Sequence, residues 1–392
     1  MTYMEKSLKI VDKIGRKKEI VGKGGKLIEQ NLKKNYDMEE MKGNEISTSF
    51  REDYQKDLKT KLKNVNCLKE YMRQNNALDE KLELQDYLES GGESNVYSVH
   101  IKFRNNLKEI KKKKFIMKVI IHNKREREYK REAIINAKLK NKGIIEFLGY
   151  SKIKEDESSY MILEEAKFGN LRNFQRNILK RPYLSESMLC YISYQVLSGL
   201  LYCHRCKIAH MDVKLQNIVV DEFLNFKLID FSVSLNYQNK DLNDKVKLPF
   251  RGTNFYIPLE VLKSETIKFR DLNKIDLYSL GCVLYNLAFG RYAYGLSHGD
   301  EKDYDVIKKK VEEGELIFDK EAGLSEYFLD FLSKLLEKDI NKRINIFEAM
   351  NHYWIKGANL LMQEKEKNYN ISIFTSYLLT DHIECFNQYV KH

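Results

Sequence analysis

No run of about 18 apolar residues occurs anywhere in the chain, which argues against a membrane span. The start, Met1-Thr2-Tyr3-Met4-Glu5-Lys6, lacks the apolar stretch of a signal peptide, and Thr2 stands where myristoylation would need glycine. An intracellular protein is therefore expected, in the cytoplasm or the nucleus. Cysteine is sparse, with six in 392 residues. Cys203-His204-Arg205-Cys206, followed by His210, has the flavour of a zinc site. A structural site needs four ligands, however, and there is no second CxxC or HxxxH pair. Reduced thiols are the expectation. Glycine-rich phosphate loops of the GxxxxGK[ST] kind are missing as well. Val21-Gly22-Lys23-Gly24-Gly25-Lys26 has the wrong spacing and no convincing strand before it. Only three prolines accompany abundant Lys, Asn, Ile and Tyr, the composition of an AT-rich genome, which says little about function.

What is present is a basic chain with material for a sizeable core: net charge +11 and 43% hydrophobic residues. Lysines are spread along its whole length. Blocks such as Lys111 to Lys114 and Lys124-Arg125-Glu126-Arg127 carry none of the aromatic or glycine patterning of an RNA-binding module, so no nucleic-acid partner is expected. Residues 1–80 read as an extension, polar and weakly ordered to about 49. An amphipathic helix then follows near 50–75, where Phe50, Tyr54, Leu58, Leu62, Val65, Leu68 and Met72 recur every three or four residues. Beyond it, strand-like segments at 82–88, 95–103, 114–120, 145–150 and 160–164 are interrupted by one helical stretch, 125–140. After 170 the pattern turns helical, at 186–206, 276–289, 303–313, 326–336 and 345–351. A β-rich half followed by an α-rich half predicts an α+β fold of two lobes with a cleft between them.

The chemistry-bearing residues fall in a fixed order. Glu89-Ser90-Gly91-Gly92-Glu93-Ser94-Asn95-Val96 lies between two predicted strands. Lys118 stands inside a strand, where an ammonium needs an anion. His210-Met211-Asp212-Val213-Lys214-Leu215-Gln216-Asn217 combines a carboxylate, an ammonium and an amide within one loop. Asp230-Phe231-Ser232 follows thirteen residues after Asn217. Gly252-Thr253-Asn254-Phe255-Tyr256-Ile257-Pro258-Leu259-Glu260 comes next, then Asp276, Arg343 and His352-Tyr353-Trp354-Ile355. Phosphoryl transfer from ATP asks for a flexible backbone over the phosphates, a lysine on them, a carboxylate for the metal and a base for the acceptor hydroxyl.

This ordered set, from about Leu84 to Ile355, resembles the eukaryotic protein kinase family, in the Ser/Thr form because Lys214 stands two after Asp212. The resemblance implies a bilobal kinase domain over 84–356, with a tail at 357–392 beside the extension. It implies ATP and Mg²⁺ as cofactors and a protein substrate with a Ser or Thr acceptor; it leaves oligomeric state open. Asp212 would be the catalytic base and Lys214 would neutralise the γ-phosphate. Lys118 would reach the α- and β-phosphates and pair with Glu132 on the next helix, with Glu128 one turn earlier as the alternative. Asn217 and Asp230 would hold the metal. Ser90, Gly91, Gly92 and Val96 would cover the nucleotide, the backbone of Glu164 and Ala166 would meet the adenine edge behind Leu163, and Val219 would lie on the adenine's other side. Thr253 would bridge Asp212 and Lys214, Glu260 would pair with Arg343, and Asp276 would hold the catalytic-loop backbone.

Several positions depart from the family's pattern. Glu89 and Ser94 replace two loop glycines, Ile116 stands where alanine is common, and Ser232 replaces glycine. Met211 replaces the arginine that grips a phosphate on the activation segment, which predicts weak dependence on phosphorylation there, at Ser232, Ser234, Thr253 or Tyr256. Asn170 and Gln216 stand where kinases that prefer arginine in their substrates place acids, which argues against a basophilic preference. The departures keep a pseudokinase or scaffold open as the alternative. A binding module built around 1–80 and 357–392 and regulated by the kinase domain is a second one.

Overall fold

The computed structural model describes residues 83–90, 94–104, 110–120, 126–152, 159–248 and 254–358. The helix expected near 50–75, the loop tip Gly91-Gly92-Glu93, Thr253 and most of the tail lie outside these residues. The smaller lobe is a five-stranded sheet built of β1 (Glu83–Ser90), β2 (Ser94–Arg104), β3 (Ile110–Ile120), β4 (Phe147–Lys152) and β5 (Ser159–Glu164), in the order β1-β2-β3-β5-β4. Every neighbouring pair in it is antiparallel. Alternation along β3 sorts its side chains by face: Phe115, Met117 and Val119 are buried, whereas Lys114, Ile116 and Lys118 are half-buried. Register carries that second face across the sheet. Val96 lies opposite Lys118, and Ile116 opposite Leu163, so Val96, Ile116, Lys118 and Leu163 share one half-open surface.

Helix α1 (Glu126–Lys138) packs on β4 and β5 through Tyr129, Ala133 and Met161. The chain leaving α1 does not return straight to the sheet. Gly143 first docks on the larger lobe, where its carbonyl accepts from Leu228 (2.9 Å) and Ile145 donates to the Leu228 carbonyl (3.0 Å). This contact needs two glycines face to face, since a Cβ on Gly199 would sit 2.8 Å from the Gly143 oxygen. The end of α1 is thus tied to the same strand that leads to Asp230.

The larger lobe is mainly helical. After the short α2 (Leu171–Asn173), whose chain continues as a π-helical turn to Leu179, come α3 (Glu186–Arg205), α4 (Leu259–Leu262), α5 (Leu272–Phe289), α6 (Tyr304–Glu313), α7 (Glu326–Leu335) and α8 (Ile346–Met350). Caps explain several boundaries. Ser185 and Ser325 accept from the amides of Met188 and Phe328, Asn345 with Glu348 forms a reciprocal capping box, and left-handed Gly290 (φ 68°) ends α5. Helix α5 is buried on nearly every face and packs against both α3 and α7. It begins at Leu272, earlier than the apolar pattern from 276 suggests. None of the helices among the described residues is long and apolar enough to cross a membrane.

Two small ribbons carry the loops at the cleft: β6 (Ile208–Ala209) with β9 (Leu235–Asn236), and β7 (Ile218–Val220) with β8 (Phe226–Leu228). A third, β10 (Lys245–Lys247) with β11 (Thr266–Lys268), lies beyond them. The floor of the lobe is pinned by Arg343, fully buried against Glu260 at 2.6 and 3.0 Å, with further bonds to the carbonyls of Glu337, Lys274 and Lys338. Replacing Arg343 by Met leaves the Glu260 carboxylate buried without its cation. A loss of about 3–5 kcal/mol in unfolding free energy is expected, read from equilibrium urea denaturation.

Candidate active site

The cleft side of β3 presents Lys118 to two carboxylates. Its Nζ lies 2.9 and 3.1 Å from the oxygens of Glu132 on α1, and 3.3 Å from Oδ1 of Asp230. Glu132, rather than Glu128, is the helix partner. Its place is fixed by the docked loop after α1 and by Asn136, whose amide donates to the Glu132 carbonyl (3.0 Å). Burial works against all three charges, yet they do not respond alike. Despite burial, Glu132 and Asp230 hold the Lys118 ammonium above the ordinary lysine range. Against the burial penalty, Lys118 and the Ser232 amide bring Asp230, about a third of whose side chain stays exposed, down to about 2. Glu132 lies above the ordinary carboxylate range, because burial and the like charge of Asp230 outweigh Lys118.

Asp230 sits at φ 64°, a left-handed conformation unusual for aspartate. Neighbours hold it there. Buried Phe231 packs against the His210 ring in a tilted arrangement at 4.9 Å, and Ser234 donates to the His210 carbonyl (3.0 Å). Arg131, beside Glu132 on α1, donates to the Ser232 carbonyl (3.2 Å). Arg131 thus holds the Asp230 segment directly, from the same helix whose Glu132 holds Lys118. Of the four suggested phosphorylation positions, Ser234 and Tyr256 are buried and Thr253 lies outside the described residues.

The loop bearing Asp212 is shaped from below. Asp276 on α5 accepts from the amides of His210 (2.9 Å) and Met211 (2.7 Å) and from the His204 ring (2.7 Å). Met211 is left-handed at φ 69°, and these two bonds keep it so. His210 Nε2 donates to the Ile229 carbonyl (2.9 Å), while its Nδ1 accepts from the Asp212 amide (3.3 Å). His204, read above as one arm of a CxxC-like cluster, is thus a partner of Asp276. Asp212 meets the Lys214 ammonium at 2.7 Å, and the Asn217 amide nitrogen donates to its Oδ2 and to its carbonyl, each at 2.9 Å.

Asn217 and Asp230 come from opposite strands of one ribbon. Ile218 pairs with Leu228 and the Ile229 amide donates to the Asn217 carbonyl (3.0 Å), so both side chains leave the same end of β7–β8. Among the described residues no three His, Cys, Asp or Glu side chains cluster as metal ligands. An ion at this end would have one carboxylate and one amide oxygen, and would need ligand phosphates and water to complete its shell. That hard, incomplete oxygen set fits Mg²⁺ on a nucleotide. Val219 on β7 is buried and bridges to Asn170, while Val96, Ile116 and Leu163 share the half-open face of the sheet. Phe168 donates to the Val220 carbonyl and Val220 to that of Gly169, which moors the linker between the lobes to β7. Ala166 closes a turn to Gly169, and the Glu164 amide donates to Glu146. The Glu164 carboxylate is drawn to Lys227 on β8 (2.7 Å), a contact the sequence reading missed. Only the backbone of Ser90 is described, at the end of β1; Gly91 and Gly92 lie outside.

A protein-family model described as "Protein kinase domain" matches residues 82–355. Curated relatives include a probable serine/threonine-protein kinase MARK-B of Dictyostelium discoideum, 28% identical over 251 residues, spanning 64% of this chain and 33% of the relative. A calcium-dependent protein kinase 5 of Plasmodium falciparum is 30% identical over 302 residues, 75% of this chain and 49% of its own length. An Aurora kinase of Patiria pectinifera is 30% identical over 253 residues, 63% and 58% respectively. The chain thus spans a third to somewhat over half the length of these relatives. It belongs to the protein kinase family.

The Lys118–Asp230 contact sets a pH signature. A carboxyl depressed to about 2 contributes stability that is complete above its unfolded value, about 3.9, and is lost as pH falls through about 2. In Lys118→Met that stabilisation disappears. Carboxyl NMR titration should place Asp230 near 2 in the parent chain, and at or above the ordinary carboxylate value in the variant.

Proposed function

We propose that this chain is an active serine/threonine protein kinase that transfers the γ-phosphoryl group of Mg-ATP to protein hydroxyls. The observation that carries the proposal is the convergence of two charge clusters on one cleft: Lys118 with Glu132 and Asp230, and Asp212 with Lys214 and Asn217. The first is what a nucleotide's phosphates and metal require, and the second is what an incoming hydroxyl requires. A scaffold has no need of a half-buried lysine held between two carboxylates, so the intact pair weighs against the pseudokinase alternative.

In this proposal Lys118 binds phosphate oxygens and Glu132 keeps its ammonium aimed at them. Asp230 and Asn217 would hold Mg²⁺, which would supply positive charge against the phosphates. Asp212 accepts the hydroxyl proton as the oxygen attacks, so the base and its acceptor must come within hydrogen-bond reach. Lys214, already at Asp212, neutralises charge on the transferred group, and the half-open sheet face with Val219 lines the adenine site. Incubation of the full chain with labelled Mg-ATP and a generic acceptor protein should give phosphoserine or phosphothreonine. Asp212→Asn should lower kcat by about 10²–10⁴-fold. An absence of transfer by the folded parent chain would return the scaffold to first place.

Regulation in the proposal follows from Met211. It lines a cavity of about 10 Å³ with Asp212, Tyr256, Ile257, Pro258, Val261, Ile275 and Ser279, a lining that holds a carboxylate and no cation to grip a phosphate. Exhaustive phosphatase treatment should therefore change kcat/KM by less than about threefold, measured on the same acceptor before and after treatment. A loss beyond tenfold would refute this.

A further inference from the structure

From Lys167 to Ser185 the chain contains five cations and no Asp or Glu: Lys167, Arg172, Arg176, Lys180 and Arg181. This stretch forms one wall of the cleft. Asn170 bridges to Val219, and α2 packs directly against the turn of residues 215–217 that follows Lys214 in the catalytic loop. Arg172 is half-buried there and lies within electrostatic reach of the Tyr256 phenol, on the segment that closes over Met211 and Asp212.

The carboxylates nearest this wall are already neutralised. Glu164 is taken by Lys227 (2.7 Å), Glu165 by Lys114 (2.8 Å), Glu222 by Lys167 (2.8 Å) and Asp212 by Lys214 (2.7 Å). Among the described residues none pairs with Arg172. Arg176 follows one turn later on the π-helical continuation and is exposed. Two like charges so spaced on a helical surface repel unless an anion lies between or beside them. On the catalytic turn, Gln216 has a buried side-chain oxygen with no hydrogen-bond donor among the described residues. That atom would accept from a peptide amide as a substrate backbone crosses the turn.

We propose that Arg172, with Arg176 adding to its field, selects substrates carrying an anionic side chain close to the acceptor hydroxyl. This rests on the phosphotransfer proposal above and names the substrate class for that same cleft. Asn170 and Gln216 leave the wall without the acids that would draw an arginine, and Arg172 turns that neutrality into an active preference. The anion is a carboxylate or a phosphate already present on the substrate; both offer the planar or trigonal oxygens a guanidinium binds.

The test is a positional peptide library around a central Ser or Thr, phosphorylated by the full chain, with Asp, Glu, phosphoserine, neutral and Lys/Arg variants at each flanking position. Asp or Glu at one or two positions should raise kcat/KM about tenfold over neutral peptides, with the advantage shrinking as salt is added. If phosphoserine alone does so, the anion is a priming phosphate. Arg172→Glu should invert the preference toward Lys or Arg at the same positions. Arg205→Glu, an equal charge change at the end of α3, should not. A library with no charge preference, or one for arginine, overturns the inference while leaving phosphotransfer standing. If no peptide is phosphorylated, phosphotransfer fails, and fluorescence binding of acidic and neutral peptides to the parent chain and Arg172→Glu decides the rest. Equal binding of the two peptides by the parent chain sinks the inference.

Discussion

The Asp276 carboxylate is the point on which the cleft depends. It is fully buried in the second turn of α5, where an isolated charge would be costly, yet its acidity is strengthened rather than weakened. Burial alone would raise it; the His204 ring and the amides of His210 and Met211 overcome that. The same bonds bend the chain into a left-handed turn at Met211, and that turn aims Asp212 at the cleft. From His210 the order spreads through its ring to Ile229 and Phe231, and so to Asp230. One buried anion in the helical lobe thus sets the directions of the base and of the metal ligand.

Among the described residues, three of the contacts between the lobes also position chemistry. Gly143 docks on Leu228 and Gly199, Glu164 reaches Lys227, and Arg131 reaches Ser232. All three tie the sheet lobe, or the helix packed on it, to the chain that runs through β8 into Asp230. A displacement of α1 would therefore strain the Lys118–Glu132 pair and the Ser232 anchor together. A nucleotide bridging Lys118 and Asp230 would add one more link of the same kind, so lobe closure and ligand binding are expected to be coupled.

Most of the strands and helices were legible because their apolar residues repeat at period 2 or 3.6, a property of the local chain. Helix 186–206 and the strand around Lys118 fall within a residue or a few of their observed bounds. The charged site was legible for a different reason: Asp212, Lys214, Asn217 and Asp230 lie close in sequence, in an order that few other chemistries need. Harder to see were Arg131 on Ser232, Lys227 on Glu164 and the buried hydroxyl of Ser234. Each joins or buries atoms distant in sequence, and a lysine or arginine on a surface pattern gives no hint of its partner. The π-helical turn after α2 also escaped notice, since its residues fit an ordinary helical period.

By itself the sequence determined which residues could perform phosphoryl transfer, and that they would lie on a β-rich and an α-rich half facing each other. Periodicity and short motifs are local, and local information survives in a linear string. The tertiary structure alone decided that Asp230 joins Glu132, the partner the spacing favoured over Glu128, at the Lys118 ammonium, and that His204 serves Asp276. It also decided that Met211 lines a small cavity with Asp212, and that among the described residues no carboxylate pairs with Arg172 beside the catalytic turn. Those outcomes depend on which charges are buried together and which are left over. That is settled by the packing of segments far apart in the chain, where the cost of an unpaired buried charge selects one arrangement over the others.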